Sequence, residues 1–319
     1  MAAVFSAKFA LVFIPFMKKA LVQMHLAVLL WGFTAVLGRA IDLSAPVLVW
    51  YRMLMTAAFM AAILYYRKEW VPISKTDRYR LWWIGCLIGI HWVAFYGSIK
   101  FANASVALVC LSTASIFTSL LDPFVNKGKH NLVELLLGLL ALAGVYLIYR
   151  FQELYAWGVL FGVIAAILSS WFTVLNKKIA HKYPARTMVF YEMTAGWVLI
   201  TLLIPFQILY TTEAVDLLPT GYDWLWLVIL SLCCTVWAQS LALNALKHIS
   251  SFTSTLSVNL EPVYGILLAF VFFKEYEMLS TEFYIGMGLI LASVLLQMLR
   301  LLRPSKHTTS IVDDRGGID

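Results

Sequence analysis

Four ionisable side chains, Arg52, His91, Glu192 and Glu261, stand inside long apolar stretches of this sequence. A charge held in hydrocarbon costs about 2.5–3.5 kcal/mol at the centre of a helical crossing, so each needs a partner, a hydrated cavity or a change of protonation. Glu261 is the sharpest case. Pro262 follows it and removes one intrahelical donor, which leaves the Val258 carbonyl free for another partner. A carboxyl at such a break can load and release a proton, or it can be a paired group that stiffens the bend. Arg52 and Glu192 can act as gates by pairing with neighbours, or can snorkel towards their own interfaces. His91 suits cavity lining or proton transfer, or a neutral ring bonded within the bundle.

Uncharged polar residues recur around these groups at helical spacing. Ser250, Ser254, Ser257, Glu261 and Tyr264 follow one another by four, three, four and three residues, so they share a helix face. Ser105, Ser112, Ser115, Ser119 and Asp122 form a second stripe, and Ser169, Thr173 and Asn176 a third. Serines in membrane helices serve close packing or bond their own backbone, but stripes in related positions also suit a shared wet cavity. Trp31, Trp92, Tyr96, Trp237 and Gln239 add stacking surfaces and hydrogen-bonding groups deep in apolar runs, suited to a flat or amphipathic solute. No HExxH, GxSxG, P-loop or GxGxxG pattern occurs, and Cys86, Cys110, Cys233 and Cys234 lack metal-ligand or disulfide spacing. Neither an enzyme nor a cofactor or metal is expected, and an intramembrane enzyme using His91 and Glu261 is the alternative in that class.

The elements that must position these residues follow from composition. Of 319 residues, 62% are hydrophobic and 13% charged, against about 45–50% and about 25% in soluble domains. The reading is all-α and polytopic, with ten transmembrane helices at about 22–41, 46–66, 81–99, 104–125, 132–150, 156–176, 186–210, 223–245, 251–273 and 281–302. The net charge of +7 belongs to short loops, so the partner is the lipid bilayer and not nucleic acid. With both ends cytoplasmic, nineteen of the 24 Lys and Arg fall inside, four outside, and Arg52 within a span. That bias places the chain in the plasma (inner) membrane with both termini cytoplasmic. Residues 1–21 read as an N-terminal segment, an over-long start or an interfacial helix, and residues 303–319 as a disordered tail.

The halves resemble one another. Leu30 to Arg39 lies over Leu168 to Lys177 at a shift of 138 residues, Tyr51-Arg52-Met53 over Tyr191-Glu192-Met193 at 140, and Lys100, Phe117 and Lys127 over Lys247, Tyr264 and Lys274 at 147. Five crossings is an odd number, so residues 22–150 and 151–302 form inverted five-helix repeats, the architecture of carriers that bind substrate near the midplane.

Leu30-Trp31-Gly32, Arg52, Ala102-Asn103-Ala104-Ser105, Ala245 to Ser250, Leu260-Glu261-Pro262-Val263-Tyr264 and Phe272-Phe273-Lys274-Glu275 together resemble the drug/metabolite transporter superfamily, in its ten-helix EamA-type branch. The resemblance spans about Met24 to Leu302 and implies a small-molecule carrier, often an exporter of amino acids or other metabolites, with a central cavity from both halves. One departure is Ser115, where the fourth helix would carry a proline matching Pro262. The expectation is an alternating-access exporter of small organic metabolites, amino-acid-like or drug-like. Its substrate would sit among Trp31, His91, Trp92, Tyr96, Ser112, Ser115, Trp237, Gln239, Ser257 and Tyr264. Glu261, Arg52 and Glu192 would couple or gate, with protons as the coupling ion. The runner-up is an uncoupled facilitator or importer.

Overall fold

The computed structural model describes residues 2–126, 132–151, 155–210, 216–249, 251–258 and 260–302. Among them there is no strand. Lipid offers no hydrogen bonds to a peptide group, so a chain this apolar satisfies its backbone within helices. In chain order these are α1 (Ala2–Ala40), α2 (Ala45–Arg67), α3 (Lys75–Phe101), α4 (Ala104–Leu111), α5 (Ala114–Asn126), α6 (Leu132–Phe151) and α7 (Ala156–Ile179). Then come α8 (Ala185–Tyr210), α9 (Asp223–Ser231), a π-helical turn (Leu232–Trp237), α10 (Ala238–Leu246), α11 (Ser251–Val258), α12 (Glu261–Phe273) and α13 (Thr281–Leu302).

Seven stretches are long and apolar enough to cross a bilayer: Lys18–Ala40, Ala45–Arg67, Lys75–Phe101, Ala104–Val125, Ala156–Ile179, Ala185–Leu209 and Asp223–Leu246. The shorter apolar stretches Leu136–Ile148, Glu261–Phe273 and Thr281–Ser293 complete ten hydrophobic passages among the described residues. The fourth passage is broken between α4 and α5, the eighth is wound wide at the π-turn, and the ninth is broken before Glu261. Residues 2–17 continue the first span as one helix. Ser250, Glu213 and the tail from Arg303 lie outside the described residues.

The packing shows the duplication. If each passage is matched with the one five places later, α3 against α7 becomes α1 against α10, and α5 against α7 becomes α1 against α12. Likewise α3 against α8 becomes α2 against α9, and all of these pairs pack together. Two pairings join a helix to its own counterpart, as a pseudo-two-fold axis requires, α2 with α8 and α6 with α13, and the broken fourth and ninth passages cross symmetrically, α4 on α12 and α5 on α11. The chain is therefore two five-passage repeats of opposite orientation wrapped around each other, not two separate domains.

Small residues let these helices touch backbone to backbone, the contact that holds helices together where lipid tails remove the hydrophobic drive. A Cβ on Gly144 would lie 2.5 Å from the Gly286 carbonyl oxygen, and one on Gly196 would lie 2.8 Å from that of Gly85. A Cβ on Gly85 would collide with the Glu192 backbone, whereas Gly288 has open space around it. Gly85→Ala should therefore cost about 1–3 kcal/mol, the penalty of overpacking. Gly288→Ala should cost nothing, since alanine is the better helix former. Thermal or denaturant unfolding of the two variants in detergent checks the contrast; equal stabilities would reject this packing.

Candidate functional site

Between the halves lies a cavity of about 90 Å³ with walls from α1, α2, α3, α7, α10, α11 and α12. That is room for several waters and polar enough to hold them. Its residues run from Trp31, Arg52 and Glu261 near mid-span to Asn176, Leu246 and Ser254, in the last turns of α7 and α10 and in α11.

Arg52 is the most demanding group and only 2% exposed. Its Nε donates to Thr235 Oγ1 at 2.9 Å, Nη1 to the Tyr96 hydroxyl at 2.7 Å and Nη2 to the Cys234 carbonyl at 3.3 Å. Its guanidinium carbon sits 3.8 Å from the Trp92 ring centroid, a cation–π contact in a site with little water to compete. Two of these three acceptors belong to the π-turn, where the wider winding changes the usual i→i−4 pairing and Thr235 Oγ1 itself donates to the Leu230 carbonyl at 2.9 Å. The arginine thus ties α2 and α3 of the first half to the eighth passage of the second.

Glu261 opens α12, one residue before Pro262, and the break between α11 and α12 leaves it at a helix N-terminus, where a carboxylate is favoured. Its side chain is buried against the cavity and makes no hydrogen bond or ion pair among the described residues, and Arg52 is the charge acting on it. His91 places Nδ1 2.8 Å from the Ala165 carbonyl. A carbonyl only accepts, so Nδ1 carries the hydrogen and a neutral ring keeps Nε2 as an acceptor. The ring lies between Phe95 and Phe172, with centroids 6.4 and 5.3 Å away.

The hydroxyls of Thr34 and Thr173 donate to the Trp31 and Ser169 carbonyls at 2.6 and 2.7 Å. Each keeps an acceptor lone pair for a guest. Glu192 is fully buried in α8, and both its carboxyl oxygens lack a hydrogen-bond donor, as does Asn176 Oδ1. The Asn176 amide stands beside the Glu192 carboxyl, outside hydrogen-bonding geometry. Asn176 also lines the cavity, so it is a polar link from the cavity to this second acid.

Of the residues singled out from sequence, the cavity gathers Trp31, Arg52, His91, Trp92, Gln239 and Glu261. Tyr96 lies behind the wall, bonded to Arg52. Ser112 and Ser115 are buried away from it, at the α4–α5 break, where Ser112 Oγ donates to the Val109 carbonyl at 2.6 Å. Ser257 flanks the lining positions Ser254, Val258 and Glu261 without joining them. Tyr264 packs on α1, its Cβ meeting the Gly32 face. Trp237 corrects the expectation most clearly: 58% exposed, it faces away from the cavity. Gln239 takes the cavity side, and two residues apart on a helix is about 200° of rotation, so both could not face inward. Phe172 and Thr34 add to the walls, as do Ser169, Thr173, Asn176 and Ser254 from the polar stripes. Asn176 stood in a recognised stripe, whereas Phe172 and Thr34 were indistinguishable from ordinary helix filling.

One end of the bundle is knit shut. The buried Glu275 carboxylate pairs with Arg39, accepts from the Ala104 and Ser105 amides at 3.1 and 2.9 Å, and takes the Ser105 hydroxyl at 2.6 Å. It is an anion seated at the N-terminus of α4, the polarity a helix dipole favours. Lys100 Nζ caps the Ile41 carbonyl at 2.6 Å, and Asp223 Oδ1 accepts from the Asp42 amide at 3.1 Å. At the other end Lys177 Nζ holds the Leu246 and Ile249 carbonyls at the close of α10.

The chain resembles known proteins in the way this duplication leads one to expect. The model of the EamA-like transporter family matches twice, over residues 18–150 and 156–299. An uncharacterized transporter, YxxF, of Bacillus subtilis (strain 168) is 23% identical over 264 residues, covering 79% of this chain and 81% of that one. An uncharacterized transporter of Archaeoglobus fulgidus is 24% identical over 263 residues, covering 76% and 82%. A solved crystal structure superposes with a TM-score of 0.64 over 90% of this chain and 99% of that one; at 20% identity it speaks to the fold. With one family match in each five-passage half, the chain belongs to the EamA-like transporter family and is an integral membrane transporter.

Proposed function

We propose that this transporter is an alternating-access carrier that exports small organic metabolites, amino-acid-like or drug-like, across the plasma membrane, with a proton carried on Glu261 as the coupling ion. Both termini are cytoplasmic in this reading. The observation that carries it is the cavity itself: a polar, aromatic-walled space between inverted repeats, reaching towards the basic end and closed at the other by the Glu275 clasp. A solute would stack on Trp31 and Phe172 while its polar end meets Gln239, Asn176 and the Glu261 carboxyl. Arg52 holds a fixed positive charge facing that carboxyl, so the carboxylic acid there can release its proton to become a carboxylate without leaving the site net negative. The cycle alternates closure of the two ends about the pseudo-two-fold axis.

Two outcomes test this. In sealed vesicles with a panel of metabolites, Glu261→Gln should flatten the dependence of flux on pH while the purified variant keeps its wild-type elution and melting behaviour. A pH dependence that persists removes Glu261 from coupling. The clasp is probed with Ser254→Cys in a background free of native cysteines, labelled from outside by a membrane-impermeant maleimide. Adding Glu275→Gln should raise labelling about ten-fold, the effect of a shift of about 1.4 kcal/mol between states. Unchanged labelling would show that the clasp does not hold the outer end closed.

A further inference from the structure

A second hollow, separate from the cavity, lies on the lipid-facing side of α1, α2 and α10 and has a volume of about 470 Å³. Leu26, Leu29, Leu30, Ile63, Val236 and Leu241 line it, and Leu26 and Leu29 are 49% and 42% exposed. Trp237, the residue turned out of the cavity, forms its deep end. The opposite end is basic: Arg67, in the last turn of α2, and Arg186, in the first turn of α8, both line it. Along α10 the distance from Trp237 to Asn244 is seven residues, about 10 Å at 1.5 Å per residue, so the hollow runs from mid-bilayer to the interface.

Its polar groups are incompletely used. Arg67 is exposed and has neither ion pair nor hydrogen bond among the described residues. Arg186 gives Nη1 to both carboxyl oxygens of Glu69 at 2.9 and 2.7 Å, which leaves Nε and Nη2 for another acceptor. Ser240 lines the hollow, and its buried Oγ has no hydrogen-bond partner among the described residues. One carboxylate against two guanidinium groups leaves net positive charge at the mouth of an apolar groove about 10 Å long, room for the headgroup-proximal part of an acyl chain.

The geometry points to a binding site for one anionic phospholipid. Its acyl chain lies along Leu26, Leu29 and Ile63 to Trp237, its phosphate bridges Arg67 and Arg186, and its glycerol region meets Ser240 and Asn244. Zwitterionic lipids match the groove but not its net charge, and free phosphate matches the charge but not the groove. The inference rests on membrane embedding and not on the transport cycle; only the assignment to the cytoplasmic leaflet uses the proposed orientation. Since the groove and the cavity share α1 and α10 as walls, an occupying lipid braces two of the helices that line the cavity.

The experiment titrates phosphatidylglycerol, phosphatidylcholine and inorganic phosphate into delipidated full-length protein in detergent and counts bound lipid by native mass spectrometry. One phosphatidylglycerol should be retained in preference to phosphatidylcholine, with no competition from millimolar phosphate. Arg67→Gln should weaken its binding about five-fold, as expected for one basic side chain at a lipid headgroup. Leu29→Trp, which fills the groove and leaves both arginines, should weaken it as much, while Lys75→Gln, elsewhere on the same basic end, should not. Equal retention of the two lipids, competition by phosphate, or an equal loss in Lys75→Gln and Arg67→Gln would each overturn the site. Melting temperature in phosphatidylcholine, recorded for every variant, separates loss of the lipid from loss of the fold, and lack of transport leaves the outcome of this titration unaffected.

Discussion

A guanidinium buried between helices in hydrocarbon has to be satisfied within the protein, and the way Arg52 is satisfied fixes much of what surrounds it. Three hydrogen bonds and one ring face come from two passages other than its own. The third passage supplies Trp92 and Tyr96 on neighbouring turns, and the eighth supplies Thr235 and Cys234 only because it winds into a π-turn there. A regular α-helix through Leu232–Trp237 would rotate one of those oxygens away. The irregularity is therefore retained where a charge repays it, the usual setting of π-turns at functional positions. Trp92, held against the guanidinium, then becomes cavity wall.

The pseudo-two-fold axis gives the same backbone position opposite charges. Arg52 and Glu192 correspond at the 140-residue shift, yet the cation is fully dressed and the acid has two oxygens without donors. Two buried carboxyl oxygens without a donor are a costly arrangement unless one of them carries a hydrogen. The two ends of the bundle differ in a similar way. At the 147-residue shift Glu275 falls on Gly128, so the sequence repeats the lysine before the clasp and not the acid that makes it.

Element existence was legible because it depends on run length and composition alone: the boundaries from hydropathy fall close to the helices, and the two-fold packing follows from an odd number of crossings. Orientation around each helix was far less so. Apolar residues face both lipid and bundle, so the inside–outside contrast that marks a buried face in water is missing. Trp237 and Gln239 illustrate it: both are mid-span groups able to hydrogen-bond, and only the coordinates show which one looks inward. Charged groups escape the ambiguity because hydrocarbon forbids them the lipid face, which is why Arg52 and Glu261 were readable while Phe172 and Thr34 were not. The serine stripe on the fourth passage misled for another reason. The break at Ser112 resets the helical phase, so Ser105 and Ser115 do not share one continuous face, and Ser105 instead serves the clasp.

The clasp and the cavity are joined structurally through the first span. Arg39 ends α1, the helix that carries Trp31 and Thr34 into the cavity and packs closely on α12 through Gly32. α12 in turn begins with Glu261 and leads directly into Glu275. A group bound at Glu261 and a charge held at Glu275 therefore sit at opposite ends of one short helix, about 20 Å apart at 1.5 Å per residue over fourteen residues. Opening the clasp returns Glu275 and Arg39 to water, which recovers their desolvation and leaves a net cost well below the sum of the contacts broken. An equilibrium balanced so closely can be moved by a few kcal/mol of differential binding at the other end of α12. Pro262 has no amide to offer the preceding turn, so one backbone bond that would tie α12 to α11 is missing, while Leu260 N–H still bonds the Ser257 carbonyl at 3.1 Å and Tyr264 N–H the Leu260 carbonyl at 3.2 Å across the junction.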